Sequence, residues 1–104
     1  MMELKMFKDD LYSLVHENVI AEKDIYSFVF VGYMIKKYNL DIDCKFDNHI
    51  TFISYIKESM DNLSFSKDEL NLLSESLNNI APSLTVYSVK RIIKFINMYR
   101  SYFL

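Results

Sequence analysis

The chain has 104 residues, of which 51% are hydrophobic, and this content supplies the core of one domain. Its formal net charge of −2 argues against a protein that binds nucleic acid over a broad basic surface. The single cysteine, Cys44, excludes an internal disulfide and is typical of a reducing compartment such as the cytoplasm.

The predicted elements begin with a helix over residues 3–17, because its apolar residues recur at helical intervals. Residues 22–39 follow, and their apolar run at 28–31 suits a buried strand as well as a buried helix. The absence of a turn signal over this length favours a helix, which becomes the central helix of the predicted fold. Gly32 within it permits close contact with a neighbouring helix.

A third helix is predicted over residues 48–62, with Asp47 as its N-cap. Its apolar side is predicted to comprise four residues at helical spacing: Ile50, Ile53, Ile56 and Met60. The link before it, residues 40–46, is the longest connection in the predicted fold.

The fourth helix, predicted over residues 67–79, has the clearest local signal, the sequence FSKDEL of residues 65–70. Ser66 is predicted to cap this helix, and Glu69 to reach back to the cap. The apolar stripe of the helix is narrow and has three members: Leu70, Leu73 and Leu77.

The last helix is predicted to follow the breaker Pro82 and to run nearly to the carboxyl terminus, with Ser83 or Thr85 as its N-cap. Its apolar side comprises six residues: Val89, Ile92, Ile93, Ile96, Tyr99 and Phe103. The sequence therefore predicts an all-α fold, a single-domain bundle of about five helices over residues 1–104.

Two features argue against export or membrane attachment. The amino terminus has neither the apolar core of a secretory signal nor the Arg-rich character of a transit peptide. The most apolar run, residues 25–35, is shorter than the roughly 20 residues that cross a bilayer. We therefore expect a cytoplasmic protein that makes no membrane contact.

The stretch NLDIDCKFDNH, residues 39–49, places aspartates beside Cys44 and His49. An EF-hand is excluded, because positions six and twelve counted from Asp41 are phenylalanines where Gly and Glu are required. A transition-metal site at Cys44, Asp47 and His49 lacks a paired motif that would supply a fourth ligand. The neighbouring carboxylates also oppose formation of a nucleophilic thiolate. We predict no catalytic residue, metal site or cofactor.

Charge is unevenly distributed along the chain. Residues 76–104 carry +4 and contain no acid; because the whole chain carries −2, residues 1–75 carry −6. Lys90, Arg91 and Lys94 are predicted to lie opposite the apolar side of the last helix. This basic face suits either nucleic-acid contact or simple solvation, and its small size and the negative net charge favour solvation.

Five carboxylates of the link and the helix after it are predicted to form an acidic surface: Asp41, Asp43, Asp47, Glu58 and Asp61. Such a surface would attract a basic protein partner and speed its encounter. Three aromatic residues that flank it are candidate anchors for the partner: Tyr38, Phe46 and Tyr55. The alternatives stay equally open, since charged residues occupy solvated surfaces by default and the three aromatic residues suit the core.

The chain resembles, in character over its full length, the immunity proteins that protect bacteria from contact-dependent growth-inhibition toxins and nuclease bacteriocins. It is small, helical, poor in motifs and acidic on one side, and its abundance of Asn, Ile, Lys, Tyr and Phe is typical of an AT-rich gene. No signature motif carries the resemblance. It implies a non-enzymatic inhibitor, monomeric or homodimeric, that presents carboxylates to a cationic toxin domain, often a nuclease.

Two other functional classes fit the same sequence. A phage or viral inhibitor of host defence would share the size, composition and acidic surface. A small nucleic-acid-binding regulator would instead use the basic face of Lys90, Arg91 and Lys94 on the last helix.

Overall fold

The computed structural model describes residues 2–42, 49–61 and 66–103. Within these ranges the chain forms five α-helices and no strand: α1 (Met2–His16), α2 (Ile25–Lys37), α3 (His49–Asp61), α4 (Lys67–Ile80) and α5 (Val86–Met98). Short 3-10 turns occupy Glu22–Asp24, Ala81–Ser83 and Arg100–Tyr102. The predicted all-α fold is confirmed, and the ambiguous run at 28–31 lies inside α2.

Two residues after the last residue of α1 and of α2 comes an asparagine in the left-handed conformation, Asn18 with φ of 61° and Asn39 with φ of 51°. In each case the N–H of the next residue, Val19 or Leu40, donates to the carbonyl five residues earlier at 2.9 Å. This is the Schellman arrangement, which satisfies carbonyls at the end of a helix. It also turns Val19 and Leu40 into the core, where both are buried.

The N-caps of α4 and α5 are side-chain oxygens. The Ser66 hydroxyl accepts a hydrogen bond from the N–H of Glu69 at 3.1 Å, as the FSKDEL signal predicts. The Thr85 hydroxyl accepts from the N–H of Ser88 at 3.1 Å, so Thr85 caps α5.

Helix α2 runs antiparallel to α4. The carboxyl end of α2 meets the amino end of α4 where Lys37 pairs with Glu69, and Asn79 near the end of α4 donates to Ser27 at 3.0 Å. The inward side of α2 is fully apolar and includes Phe28 and Ile35, both 0% exposed. Tyr26 on the opposite side is 88% exposed, so α2 is buried on one side and is not enclosed as a central helix would be.

Gly32 of α2 lies against the ring of Phe103, which follows α5 and is 0% exposed. A Cβ atom built on Gly32 would lie 2.8 Å from Cζ of that ring and nearer still to two other ring carbons. The close approach predicted at Gly32 is thus made by the carboxyl-terminal segment, which packs its aromatic ring where a side chain is missing.

The buried side of α3 differs from the prediction. Ile56 is fully buried as expected, but Ile50 is 65% exposed, and Phe52 takes its place in the core with 0% exposure. Helical spacing allows two sets of residues to share one side of α3, either 52, 53 and 56 or 50, 53 and 56. Spacing alone therefore does not decide between Phe52 and Ile50. Burial of the larger Phe52 ring removes more apolar surface from water, and this turns Ile50 outward.

Candidate protein-binding surface

The first residues of the link of residues 40–46, called the acidic link below, are held against the end of α5 and the turn after it. Leu40 and Ile42 are buried, and Asp41 between them is exposed, as alternation along an extended segment requires. The guanidinium of Arg100 donates to the carbonyl of Leu40 at 2.9 Å, and the amide of Asn97 donates to the carbonyl of Ile42 at 2.8 Å. Asp41 is thereby fixed at the surface by contacts of its neighbours.

The outward side of α3 carries the other described part of the acidic surface. Ile50, Ser54 and Glu58 follow one another at intervals of one turn, and all three are exposed. An apolar side chain therefore lies on the same side of the helix as a carboxylate. The exposure of Ile50 was missed at the sequence level, because the residue was assigned to the apolar side of the helix.

Several predicted members of the acidic surface belong to the part of the chain outside the described residues. Asp43, Phe46 and Asp47 belong to residues 43–48, which lie outside the described residues, and the side chain of Asp61 is not described either. The convergence of the five carboxylates therefore stays a prediction, with Asp41 and Glu58 as its two exposed, described members.

Two of the three candidate aromatic anchors are partly buried. Tyr38 and Tyr55 both pack against the hydrophobic core. Tyr38 in addition donates its hydroxyl to Glu69 at 3.0 Å. Each ring thus contributes to the packing of the bundle, and only the remaining part of its surface is exposed.

Lys37, Tyr38 and Glu69 form a polar cluster between α2 and α4. The Nζ atom of Lys37 lies 2.7 Å from Glu69 Oε2 and 5.3 Å from the centroid of the Tyr38 ring. The hydrogen bond with Lys37 lowers the pKa of Glu69 and raises the pKa of Lys37, whereas the pKa of Tyr38 is raised mainly by burial. A cation at the carboxyl end of α2 and a carboxylate at the amino end of α4 also suit the two helix dipoles.

The predicted basic face is partly engaged within the bundle. Lys90 and Lys94 are exposed. The guanidinium of Arg91, however, donates from Nε to Oε1 of Glu17 at 3.2 Å and from Nη2 to Oε2 at 2.9 Å. Such a two-point bond fixes the planar guanidinium against the carboxylate of the residue that follows α1. Because Arg91 and Glu17 are 74 residues apart, no local pattern in the sequence indicated this pair.

A cleft of about 270 Å³ lies between α1 and α5. The hydroxyl of Tyr99 donates to the carboxylate of Asp10 in this cleft, and this hydrogen bond is the main cause that raises the pKa of Tyr99 to about 12. The pair of Glu17 and Arg91 also lines the cleft. Two side-chain pairs thus span the cleft: Asp10 of α1 with Tyr99, which follows α5, and Glu17, which follows α1, with Arg91 of α5.

The described part of the chain shows no group of three or more His, Cys, Asp or Glu side chains that could hold a metal ion. Cys44 and Asp47, two of the candidate ligands considered above, lie outside that part, as does the side chain of His49. No helix within the described ranges is both long and apolar enough to cross a membrane.

Comparison with family models, with curated proteins and with solved structures finds no match to this chain. A functional proposal therefore depends on the surface chemistry of the chain itself.

Proposed function

We propose that the protein is a non-enzymatic inhibitor that binds a basic protein partner through its acidic surface, in the manner of bacterial immunity proteins. The observation that carries this proposal is the outward side of α3, where Ile50 is 65% exposed and Glu58 is exposed on the same side. Asp41, in the link that precedes this helix, is exposed as well. An apolar anchor with charged residues around it is a common composition of protein interfaces.

The proposed mechanism has two stages. The carboxylates of the acidic surface first attract a cationic partner, such as a nuclease toxin whose basic cleft binds phosphates. Ile50 then enters an apolar pocket on the partner, and its removal from water slows dissociation. Inhibition follows because the bound bundle blocks access of the substrate to the cleft. The proposed setting is the cytoplasm of the cell that makes the toxin.

The nucleic-acid alternative has less support in the described residues. Arg91 bonds to Glu17, and Arg100 bonds to the Leu40 carbonyl, so two of the four cations in residues 76–104 help to hold the bundle together. Release of either one for a phosphate would break an internal contact. The inhibitor of host defence would use the same acidic surface, and only the identity of the partner separates that alternative.

The first experiment captures the partner. Tagged protein is incubated with a lysate of the source cells at low and at moderate salt, and the bound proteins are identified by mass spectrometry. We expect one basic protein in near-equal amount, held less well at moderate salt because exposed charges are screened. Recovery of nucleic acid, or of the chain alone, would contradict the proposal and favour a regulator. Growth rescue of cells that produce the captured protein distinguishes immunity from counter-defence.

The second experiment tests the acidic link with the captured partner. The triple variant D41N/D43N/D47N should keep its helicity but lower the association rate constant about tenfold at low salt, with little change in the dissociation rate constant. The matched control removes three exposed carboxylates elsewhere: Asp9, Asp68 and Glu75. An equal loss in both variants would show that net charge, and not the acidic link, governs association.

The proposed contact of Ile50 with the partner is tested separately. I50S keeps α3 intact because residue 50 is largely exposed, and it should raise the dissociation rate constant about tenfold. The control L70S changes a residue on α4 that is 38% exposed. Unchanged dissociation in I50S would remove α3 from the proposed contact.

A further inference from the structure

The end of α5 and the turn after it bond to two backbone carbonyls of the acidic link. Arg100 donates from Nη1 to the carbonyl of Leu40 at 2.9 Å and from Nη2 to Oδ1 of Asn97 at 2.9 Å. Asn97 in turn donates from Nδ2 to the carbonyl of Ile42 at 2.8 Å. Because the bond from Arg100 occupies the carboxamide oxygen of Asn97, the carboxamide nitrogen is directed at Ile42. These two side chains, Asn97 and Arg100, are called the clamp.

Asp41 lies between the two residues whose carbonyls the clamp holds. The side chains of Leu40 and Ile42 are buried, with 7% and 2% exposure, whereas Asp41 is exposed. The N–H of Leu40 also donates to the carbonyl of Ile35 at 2.9 Å, so both backbone polar groups of Leu40 are bonded. Burial and hydrogen bonding of its two neighbours therefore leave Asp41 little conformational freedom.

An arginine at position 100 suits this arrangement better than a lysine would. Ten of the twelve basic residues of the chain are lysines. The two arginines, Arg91 and Arg100, each make at least two side-chain hydrogen bonds within the bundle. A planar guanidinium presents several donors in a fixed geometry, whereas lysine has a single ammonium group on a flexible stem. The clamp therefore depends on the geometry of the arginine side chain.

The charge of Arg100 by itself does not favour a basic partner. Its guanidinium bonds to the peptide group that joins Leu40 to Asp41, and a cation at this place reduces the negative potential that attracts such a partner. The hydrogen bonds of Arg100, and not its charge, are therefore the property through which it can assist binding at Asp41.

We propose that Asn97 and Arg100 are positioning residues for the acidic surface, which hold Asp41 in the conformation in which it meets a partner. The role in binding rests on the proposed function, whereas the order of residues 40–42 does not. A surface that is already ordered loses less conformational entropy when it binds. Without the clamp, Asp41 would keep its charge, but its segment would have to be ordered during binding, and the affinity would fall.

Hydrogen exchange followed by nuclear magnetic resonance tests whether the clamp orders residues 40–42. N97A should speed exchange of the Leu40 amide about tenfold, and R100K should do the same although it keeps the charge. The amide of Val19 is an internal control, because it makes the same type of bond after α1, also at 2.9 Å, and is also buried. The control variant N78A removes an exposed asparagine from the last turn of α4 and should change neither amide. Unchanged exchange at Leu40, or equal acceleration at Leu40 and Val19, overturns the proposal.

A double-mutant cycle with the captured basic protein tests the positioning role. N97A should lower the affinity about tenfold in the wild-type background but have little effect in a D41N background, because the clamp acts through Asp41. N78A should leave the affinity unchanged. An equal loss from N97A in both backgrounds overturns the positioning role, as does an unchanged affinity of N97A. A D41N variant that binds as tightly as the wild type would instead contradict the proposed function at Asp41, and exchange at Leu40 would then decide on the clamp alone.

Discussion

Substitution of Gly32 by alanine tests how the carboxyl-terminal segment stabilises the fold. Gly32 lies inside α2 and its φ is not positive, so no backbone conformation requires glycine there. In an ordinary helix interior, G32A would stabilise the protein by about 1 kcal/mol through helix propensity. Here the new methyl group would overlap the ring of Phe103.

The magnitude follows from the lack of free space around that ring. Phe103 is 0% exposed, and its ring centroid lies 5.3 Å from that of Phe7, 6.1 Å from that of Phe28 and 6.0 Å from that of Phe95. Overpacking costs up to about 3 kcal/mol, and displacement of a buried Phe up to about 5 kcal/mol. After subtraction of the propensity gain, G32A should lower the free energy of unfolding by about 2–4 kcal/mol.

Urea unfolding followed by far-UV circular dichroism measures this loss, together with F103A and the double variant. If the overlap with Phe103 is the cause, G32A in the F103A background should be neutral or stabilising by about 1 kcal/mol. A G32A variant more stable than the wild type would refute the reasoning. A loss of equal size in both backgrounds would show that the methyl group meets some other part of the core.

Two further predictions concern pH. The hydrogen bond with Lys37 is the main cause that lowers the pKa of Glu69 in the folded protein below the ordinary value of 4.5. The ionised Glu69 therefore contributes to stability above pH 4.5, and this contribution is lost as the pH falls through the pKa of the folded protein. The difference in free energy of unfolding between wild type and E69Q should therefore shrink in acid; a difference that does not depend on pH would contradict this. The folded pKa of Tyr99 is raised from 10.0 to about 12 by Asp10, so its contribution is present below pH 10.0 and is lost as pH rises towards 12. An ultraviolet titration should show one tyrosine of this high pKa in the wild type, and its persistence in Y99F would assign it to another residue.

The negative and positive portions of the sequence are not fully separated in the folded chain. The sequence separates a −6 portion, residues 1–75, from a +4 portion, residues 76–104. The fold brings parts of the two together, because Arg91 bonds to Glu17 and Arg100 donates to the backbone just before Asp41. Two of the four cations in residues 76–104 therefore help to hold α5 and the turn after it against the rest of the bundle.

The sequence by itself determined the helices, because helix signals are local. Apolar residues at intervals of three and four positions identify a helix. An N-cap such as Ser66 or Thr85 needs only an N–H group three residues away, and both caps form in the structure.

Only the tertiary structure decided which side of each helix is buried and which charges are paired. Spacing in α3 allowed either Ile50 or Phe52 to face the core, and competition for the same space buried Phe52 and exposed Ile50. The close approach at Gly32 involves Phe103, a residue 71 positions further along the chain. Such contacts depend on how the helices pack against one another, and packing is a property of the assembled bundle that no single segment of the sequence contains.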